Sequence, residues 1–473
     1  MDAAEPISQA KAPLRSISWI FFKIGITAFG GPATSISMME EEIVQKKQWL
    51  TRKYFLDLVG ITNIIPGPNA VEMALHIGYL LRGWLGLLIA GICFIFPAVA
   101  ISLTLAIIYV LFSTLPQMEP ILFGIKPIII AIILVAVFRL GKTAAKNWLL
   151  VVIAIMILPL AYFFDSYIVV ILLGGGIVGM FALQINDKIK AKKEKRKKEA
   201  VKIESEKLTE IKGDDEKETA HLTLENKNIL ETKEKNEEQI HTRFMMGEKI
   251  IPWKKLVIYG ILMFVIWGIL ALVLWLFSYF YPNKLLKLSF FFYGIGSILY
   301  GSGYVLIAYM RGGLVLQNGW LTEQQLFDAI AIGQFTPGPL SSTVTVVGYM
   351  VGYSVGGVGW GLAGAAVATI AFYLPSILIV VFINPIVSRL RKSSWTAAFL
   401  DAVNISSIAV MLVTTYYLGE GFFQSLNVWS IVVAVILLIS SFFILLKWKK
   451  VNSAILVIAG AVIGGLLKYF VLK

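Results

Sequence analysis

The sequence predicts an all-α polytopic membrane protein made of two inverted homologous halves with re-entrant broken-helix hairpins. Three observations carry that expectation. The 473 residues are 58% hydrophobic and only 15% charged, with mean hydropathy +0.78, more apolar surface than a water-soluble chain of this length hides. Several apolar runs reach the roughly 20 residues needed to cross a bilayer. The segment WLTRKYFLDLVGITNIIPGP, beginning at Trp49, returns as WLTEQQLFDAIAIGQFTPGP, beginning at Trp320. Eight of its twenty positions are identical, including Thr51/Thr322 and Asp57/Asp328, at a constant separation of 271.

Three regions follow in chain order. Residues 1–185 form an N-terminal membrane repeat, 186–249 a charged insert and 250–473 a C-terminal membrane repeat. The leader MDAAEPISQAKAPLR is polar, and the apolar stretch after it is interrupted by Lys23, so no cleavable signal sequence is expected. Full spans are expected over 85–112, 121–140, 148–164 and 167–183, then over 256–281, 360–383, 395–418, 428–446 and 454–470. The insert (KIKAKKEKRKKEAVKIESEKL and onward) is dense in Lys and Glu and poor in apolar residues, so it builds no core. It reads as a solvated rod or a linker, on the cytoplasmic side.

Basic connections face the cytoplasm. Arg139, Lys142 and Lys146 put their connection inside, whereas Glu119 and Asp165 put its neighbours outside. Arg389, Arg391 and Lys392 point inside, as do Lys447, Lys449 and Lys450, with Glu420 at an outside turn; Lys284 and Lys287 fall outside against the rule. The connection after 85–112 is then outside and the one after its counterpart 360–383 inside, so the halves enter the membrane in opposite senses. Span 256–281 has no partner in the first half and supplies the odd crossing. The net charge of +13 belongs to this asymmetry rather than to nucleic-acid binding. Cys93 is the single cysteine, which excludes an intramolecular disulfide and Cys/His zinc spacing; no cofactor or metal is expected.

Between Ser16 and Leu85 the apolar stretches are too short for simple crossings, and cations fall between them. Two re-entrant hairpins satisfy this, with tips at Gly30-Gly31-Pro32 and Pro66-Gly67-Pro68; the second half repeats them at Gly301-Ser302-Gly303 and Pro337-Gly338-Pro339. Proline stops the incoming helix and glycine permits the reversal. The next helix starts with unpaired N–H groups at the positive end of its dipole, where an anion is the natural ligand. Isolated Pro and Gly in membrane helices are usually kinks or packing sites; two copies at one offset after WLT favour opposed tips around a small oxyanion.

Other polar groups lie near the tips. Glu72 and His76, four apart, share a helix face and suit a proton relay or a buried structural pair. Asn63 and Gln334 occupy matching positions, and Asn69 is answered by the hydroxyls of Ser341 and Ser342; these suit oxyanion oxygens or helix–helix hydrogen bonds equally. Lys23 and Arg311 read as the cations most embedded in apolar sequence, and Arg311 aligns with Glu40. Asp57 and Asp328 read as local caps or pairs rather than ligands of an anion.

At FFKIGITAFGGP (21–32), WLT (49–51), IIPGPNAVEMALHIGY (64–79) and the second PGP, the chain resembles the chromate ion transporter family in its long two-domain form. The resemblance spans both halves and leaves out the insert. It implies a multi-pass plasma-membrane protein that exports chromate, with sulfate as a related tetrahedral dianion; the second copy departs from the pattern by lacking the proline of GGP. The substrate-binding set expected from these residues is Lys23, Gly30, Gly31, Pro32, Asn63, Pro66, Gly67, Pro68, Asn69, Glu72, His76, Gln334, Pro337, Gly338, Pro339, Ser341 and Ser342. A secondary transporter needs no nucleotide, and no GxxxxGK[ST] occurs. The competing readings are a sulfate or other anion carrier without a role in chromate, and an intramembrane enzyme using Glu72 and His76. The expected partners are the oxyanion and the lipid bilayer, not nucleic acid; a homodimer is compatible with the sequence but not specified by it.

Overall fold

A computed structural model describes residues 12–29, 31–63, 65–112, 118–209, 253–280, 283–300, 303–383, 393–424, 426–448 and 451–470, and all regular structure among them is helical. The tip residues Gly30, Gly301 and Ser302, the cluster of Arg389, Arg391 and Lys392, Lys449 and Lys450, and most of the insert lie outside the described residues.

The first half holds α1 (Leu14–Thr27), α2 (Pro32–Met39), α3 (Arg52–Thr62), α4 (Asn69–Phe112), α5 (Met118–Ala144), α6 (Trp148–Phe163) and α7 (Ile168–Thr209). After α8 (Trp253–Phe280), the second half repeats the series as α9 (Lys284–Ile298), α10 (Val305–Met310), α11 (Glu323–Phe335), α12 (Thr343–Gly356), α13 (Val358–Ile383), α14 (Ser394–Phe423), α15 (Val428–Lys447) and α16 (Ser453–Phe470). The single helix α4 answers the pair α12 and α13, because α4 turns sharply at Gly83 (φ 61°) where the second half has Gly357 (φ 82°). Both short hairpin helices α2 and α10 end in a π-helical turn, Glu40–Lys46 and Arg311–Gln317.

The repeated WLT works as a helix start in both copies. The Thr51 hydroxyl accepts the Tyr54 N–H, and Thr322 accepts the Gln325 N–H while the Gln325 side chain accepts the Thr322 N–H, a capping box. Asn147, Asn283 and Asn427 cap α6, α9 and α15 in the same manner.

Among the described residues seven helices are long and apolar enough to cross a bilayer: α4, α5, α7, α8, α13, α14 and α15. Nine such spans were expected. The other two, α6 and α16, are helices but shorter. With 16 residues α6 covers about 24 Å, ending where Phe164 leaves the helical region. In contrast α7 does not stop at residue 183 but continues without a break to Thr209, so the first part of the insert is helical.

Each half is completed by the other. The first helices pack at home, α1 on α4 and α9 on α13. Gly25 and Gly296 make those approaches close: a Cβ on Gly25 would lie 2.6 Å from the Phe94 carbonyl oxygen, and one on Gly296 would overlap that of Phe372. The last helices cross over, so that α15 and α16 cover α5 while α6 and α7 cover α14. Thr143, at the end of α5, and Thr396, at the start of α14, line one cavity, and Lys146 pairs with Asp401 at 2.6 Å beside it. The two equivalent helices therefore run in opposite senses.

The repeat is not symmetric in packing. In the second half, α10 and its π turn are buried from Val305 to Leu314, and α11 packs on α5, α14 and α16. In the first half, only Ser35 and Met39 of α2 are buried, and α3 packs on α4 and the adjoining π turn with no comparable contact to α5 or α14. One hairpin is closed onto the scaffold and the other stands away from it.

Candidate substrate site

Each PGP break meets the opposite half. The Gly67 N–H donates to the Leu299 carbonyl at 2.7 Å, and the Gly338 N–H donates to the Ala28 carbonyl at 2.8 Å. Donors and acceptors are each 271 apart, so each PGP tip binds the chain just past the first helix of the opposite half. Both glycines need backbone geometry that other residues resist, with φ 147° at Gly67 and 94° at Gly338. The Pro68 carbonyl then accepts the N–H groups of Val71 and Glu72, which starts α4.

The surroundings of the two tips are related but unequal. Gly67 abuts the Glu72 carboxyl and the Ser376 hydroxyl; Gly338 abuts Ala98 and the Gly25 carbonyl. The shift that aligns Pro97 of α4 with Pro375 of α13 also aligns Ala98 with Ser376, so these are matching sites with different chemistry.

A cavity of about 960 Å³ opens between the displaced α2–α3 hairpin and helices α5 and α14. Its inner wall includes Phe29, Pro32, Ala33 and Thr34 at the start of α2, with Asn63, Asn69 and Tyr304 beside them. Arg139, whose guanidinium donates to the Leu445 carbonyl, and Lys146, paired with Asp401, also line it. Asn69 Nδ2 donates to Asn63 Oδ1 at 2.7 Å, which orients both amides and leaves the Asn63 N–H groups to donate elsewhere. Gly31, with φ 86°, turns the chain into Pro32 at the first helical position, so the first-turn N–H groups of α2 are unclaimed within the helix. The wall thus combines a helix start, amide donors and a guanidinium.

The expected site residues divide accordingly. Pro32, Asn63 and Asn69 line the cavity, with Gly31 adjoining. Pro66, Gly67, Pro68, Pro337, Gly338 and Pro339 form the tips. Glu72 and His76 are wholly enclosed, and neither carboxyl oxygen nor either ring nitrogen has a hydrogen-bond partner among the described residues. Gln334 is buried beside the Tyr304 hydroxyl. Ser341 pairs with Tyr373 at 2.7 Å, Ser342 accepts from Ser102 at 3.0 Å, and neither serine lines the cavity. Lys23 is half-exposed and paired with Glu42 at 2.9 Å. Burial alone would raise the Glu42 carboxyl, but Lys23 and Lys46 outweigh it and hold the group below its ordinary value.

Two sequence readings need correction. Lys23 and Arg311 are not the most embedded cations: Lys126, on α5, has a side chain only 2% exposed. Asp328 does not pair locally; it meets Lys126 at 2.7 Å from the other half and accepts from Tyr109 at 2.7 Å. An intramembrane lysine was the available signal, but its partner lies some 200 positions away in the chain. This cluster and an outer one seal the face opposite the cavity mouth. In the outer cluster Arg311 pairs with Asp165 (2.9 Å) and Glu323 (2.8 Å) and lies 4.1 Å from the Tyr417 ring centre. The matching positions in the first half, Glu40 and Arg52, pair at 3.1 Å with their charges exchanged.

Residues 15–180 and 286–466 each match the sequence profile described as chromate transporter, leaving out α8 and the insert. A chromate transport protein of Cupriavidus metallidurans is 24% identical over 460 residues, covering 96% of this chain and 93% of that one. A probable chromate transport protein of Synechococcus elongatus is 24% identical over 452 residues, 95% of each. An uncharacterized transporter of Methanocaldococcus jannaschii is 26% identical over 455 residues, 94% of this chain and 92% of that one. No solved structure matches the chain.

Proposed function

The chain belongs to the chromate transporter family, and from that premise we propose that it is a secondary transporter that carries chromate outward across the plasma membrane by alternating access. The observation that carries this reading is the reciprocal pair of tip hydrogen bonds, Gly67 to Leu299 and Gly338 to Ala28. They make a central crossing of two inverted units, and the cavity lined by Asn63, Asn69 and Tyr304 reaches it from the Arg139–Lys146 end. Broken helices meeting between inverted repeats are how secondary transporters build a substrate site. The hairpins enter the membrane and return, with their tips near mid-depth.

Chromate is a tetrahedral dianion. A helix start, two fixed amides and Arg139 supply the donors and positive potential such an ion needs. The cavity face carries Arg139, Lys142, Lys146 and Lys447, and the sealed face Glu119, Asp165 and Glu420 beside Lys284, Lys287 and the ion-paired Arg311. The positive-inside rule makes the cavity face cytoplasmic, together with the helical extension of α7 and the insert. The anion therefore enters from the cytoplasm. The names of the full-length relatives make chromate the first anion to test. Sulfate, of the same shape and charge, is the second reading. Family membership favours transport over the enzyme reading, and Glu72 and His76 stand apart from the cavity lining.

Flux of labelled chromate and sulfate into proteoliposomes tests the proposal. Asn63→Ala and Asn69→Ala should each raise the KM about tenfold, the loss of one hydrogen bond to a charged group, without lowering the Tm. Gradient-independent flux that neither variant alters counts against a transport site here. Topology is tested separately. In a Cys93→Ser background, cysteines at Thr143 and Ser394 should both react from the cytoplasmic side; reaction from opposite sides removes the inverted arrangement.

A further inference from the structure

The sealed face contains a buried ion pair that nothing above requires for folding. Lys126 and Asp328 are 2% and 3% exposed and 2.7 Å apart, with Tyr109 donating to the second carboxylate oxygen and the Phe327 ring centre 5.6 Å from the ammonium. Lys126 and Tyr109 come from the first half and Asp328 from the second. A buried ion pair is weak support for stability, because its attraction is largely offset by desolvation. Its presence between the two halves calls for another explanation.

The repeat shows what this position becomes when a face opens. Pro97 aligns with Pro375 at a shift of 278, and the same shift carries Lys126 to Asn404 on α14. The packing agrees: Gly124 on α5 lies against Gly460 of α16, and Ala402 on α14 lies against Gly179 of α7. Asn404 lines the open cavity, while Asp57, the match of Asp328, sits on the α3 that stands away from the scaffold. Exchanging the two conformations puts Lys126 on the wall of the opposite cavity and withdraws Asp328 with α11. A lysine on the wall of an open cavity is a cation within reach of the entering substrate, and the anion takes the place of the departing carboxylate.

We infer that Lys126 is a second oxyanion contact, used when the sealed face opens, and that Asp328 holds its place when that face is shut. The inference rests on the alternating-access reading and adds a residue and a direction to it. A dianion meeting Lys126 stabilises the outward-open form. Return of Asp328 to Lys126 displaces the anion, so closure and release to the outside are one event. The cytoplasmic counterpart Asn404 is neutral, so the two faces hold the anion unequally.

The test uses the full chain in proteoliposomes, with labelled sulfate or chromate offered separately at the Glu119 face and at the Lys146 face. Lys126→Gln should raise the KM at the Glu119 face about tenfold and leave the KM at the Lys146 face nearly unchanged. The double variant Lys126→Gln/Asp328→Asn removes both charges, leaves no unpaired ion to disturb folding, and should show the same one-sided rise. Lys126→Arg should restore most of the affinity. Double-variant KM values that are unchanged, or raised equally at both faces, would overturn the inference and leave the pair structural. A wild-type chain that moves neither anion would instead remove the transport reading beneath it.

Discussion

Replacing Gly67 with alanine should reduce oxyanion flux by at least about a hundredfold, with the protein still inserted in the membrane. Three effects add at this residue. Its φ of 147° is strained for any side chain, at about 1–3 kcal/mol. The new methyl group would overlap the Glu72 carboxyl and the Ser376 hydroxyl, both enclosed. Relief of that overlap moves the tip and breaks the 2.7 Å hydrogen bond to Leu299. Gly338→Ala should be the milder variant. Its methyl would lie 2.8 Å from the Ala98 methyl and 3.0 Å from the Gly25 carbonyl oxygen, with no ionisable group in contact. Flux measured beside a folding readout, such as size-exclusion elution in detergent, checks both. Wild-type flux in Gly67→Ala would mean that the tip geometry has no part in transport.

The largest loss of stability is expected where α5 meets α16. Gly124 lies so close to the Gly460 backbone that any Cβ there would overlap the carbonyl, and Gly464 approaches the Pro120 carbonyl in the same way. Small residues let membrane helices touch along their backbones, where packing rather than the hydrophobic effect holds them. Gly124→Val forces the helices apart and should cost about 3 kcal/mol, seen as a Tm lowered by several degrees. Gly174→Val is the control, because a Cβ there meets nothing within 4 Å; its Tm should stay close to that of the parent. Equal shifts in the two variants would mean that the α5–α16 contact is not what limits stability.

The features legible in the sequence were those written locally and twice. The WLT caps, the PGP breaks and the 271-residue offset each needed only neighbouring residues to be read, and the second copy made chance an inadequate explanation. Contacts across the halves were not legible. Lys126 sits in an apolar run, and nothing near it announces Asp328. Ser341 and Ser342 had the right chemistry and position for a ligand, but Ser102 and Tyr373 reach them from helices that no local pattern links to them. The register shift from 271 in the hairpins to 278 in the later helices also hid the match of Lys126 with Asn404, since a single offset aligns Lys126 with Ala397. The two hairpins also differ in charge, with Glu40, Glu41, Glu42, Lys46 and Lys47 in the first where the second has Arg311 in an otherwise uncharged stretch, so their unequal burial is partly written in their residues.

The crossed covering of α5 and α14 has a consequence for biosynthesis. Helix α5 is complete once residue 144 has been made, but the helices that clasp it run from Val428 to Phe470. At roughly 5–20 residues per second the ribosome needs on the order of 15–60 s to supply them. Throughout that interval the glycine groove of α5 is exposed to lipid or to whatever insertion factor shelters it. A nascent chain truncated before Val428 should therefore be a target for membrane quality control even though its longer helices have the length and hydropathy to cross the bilayer.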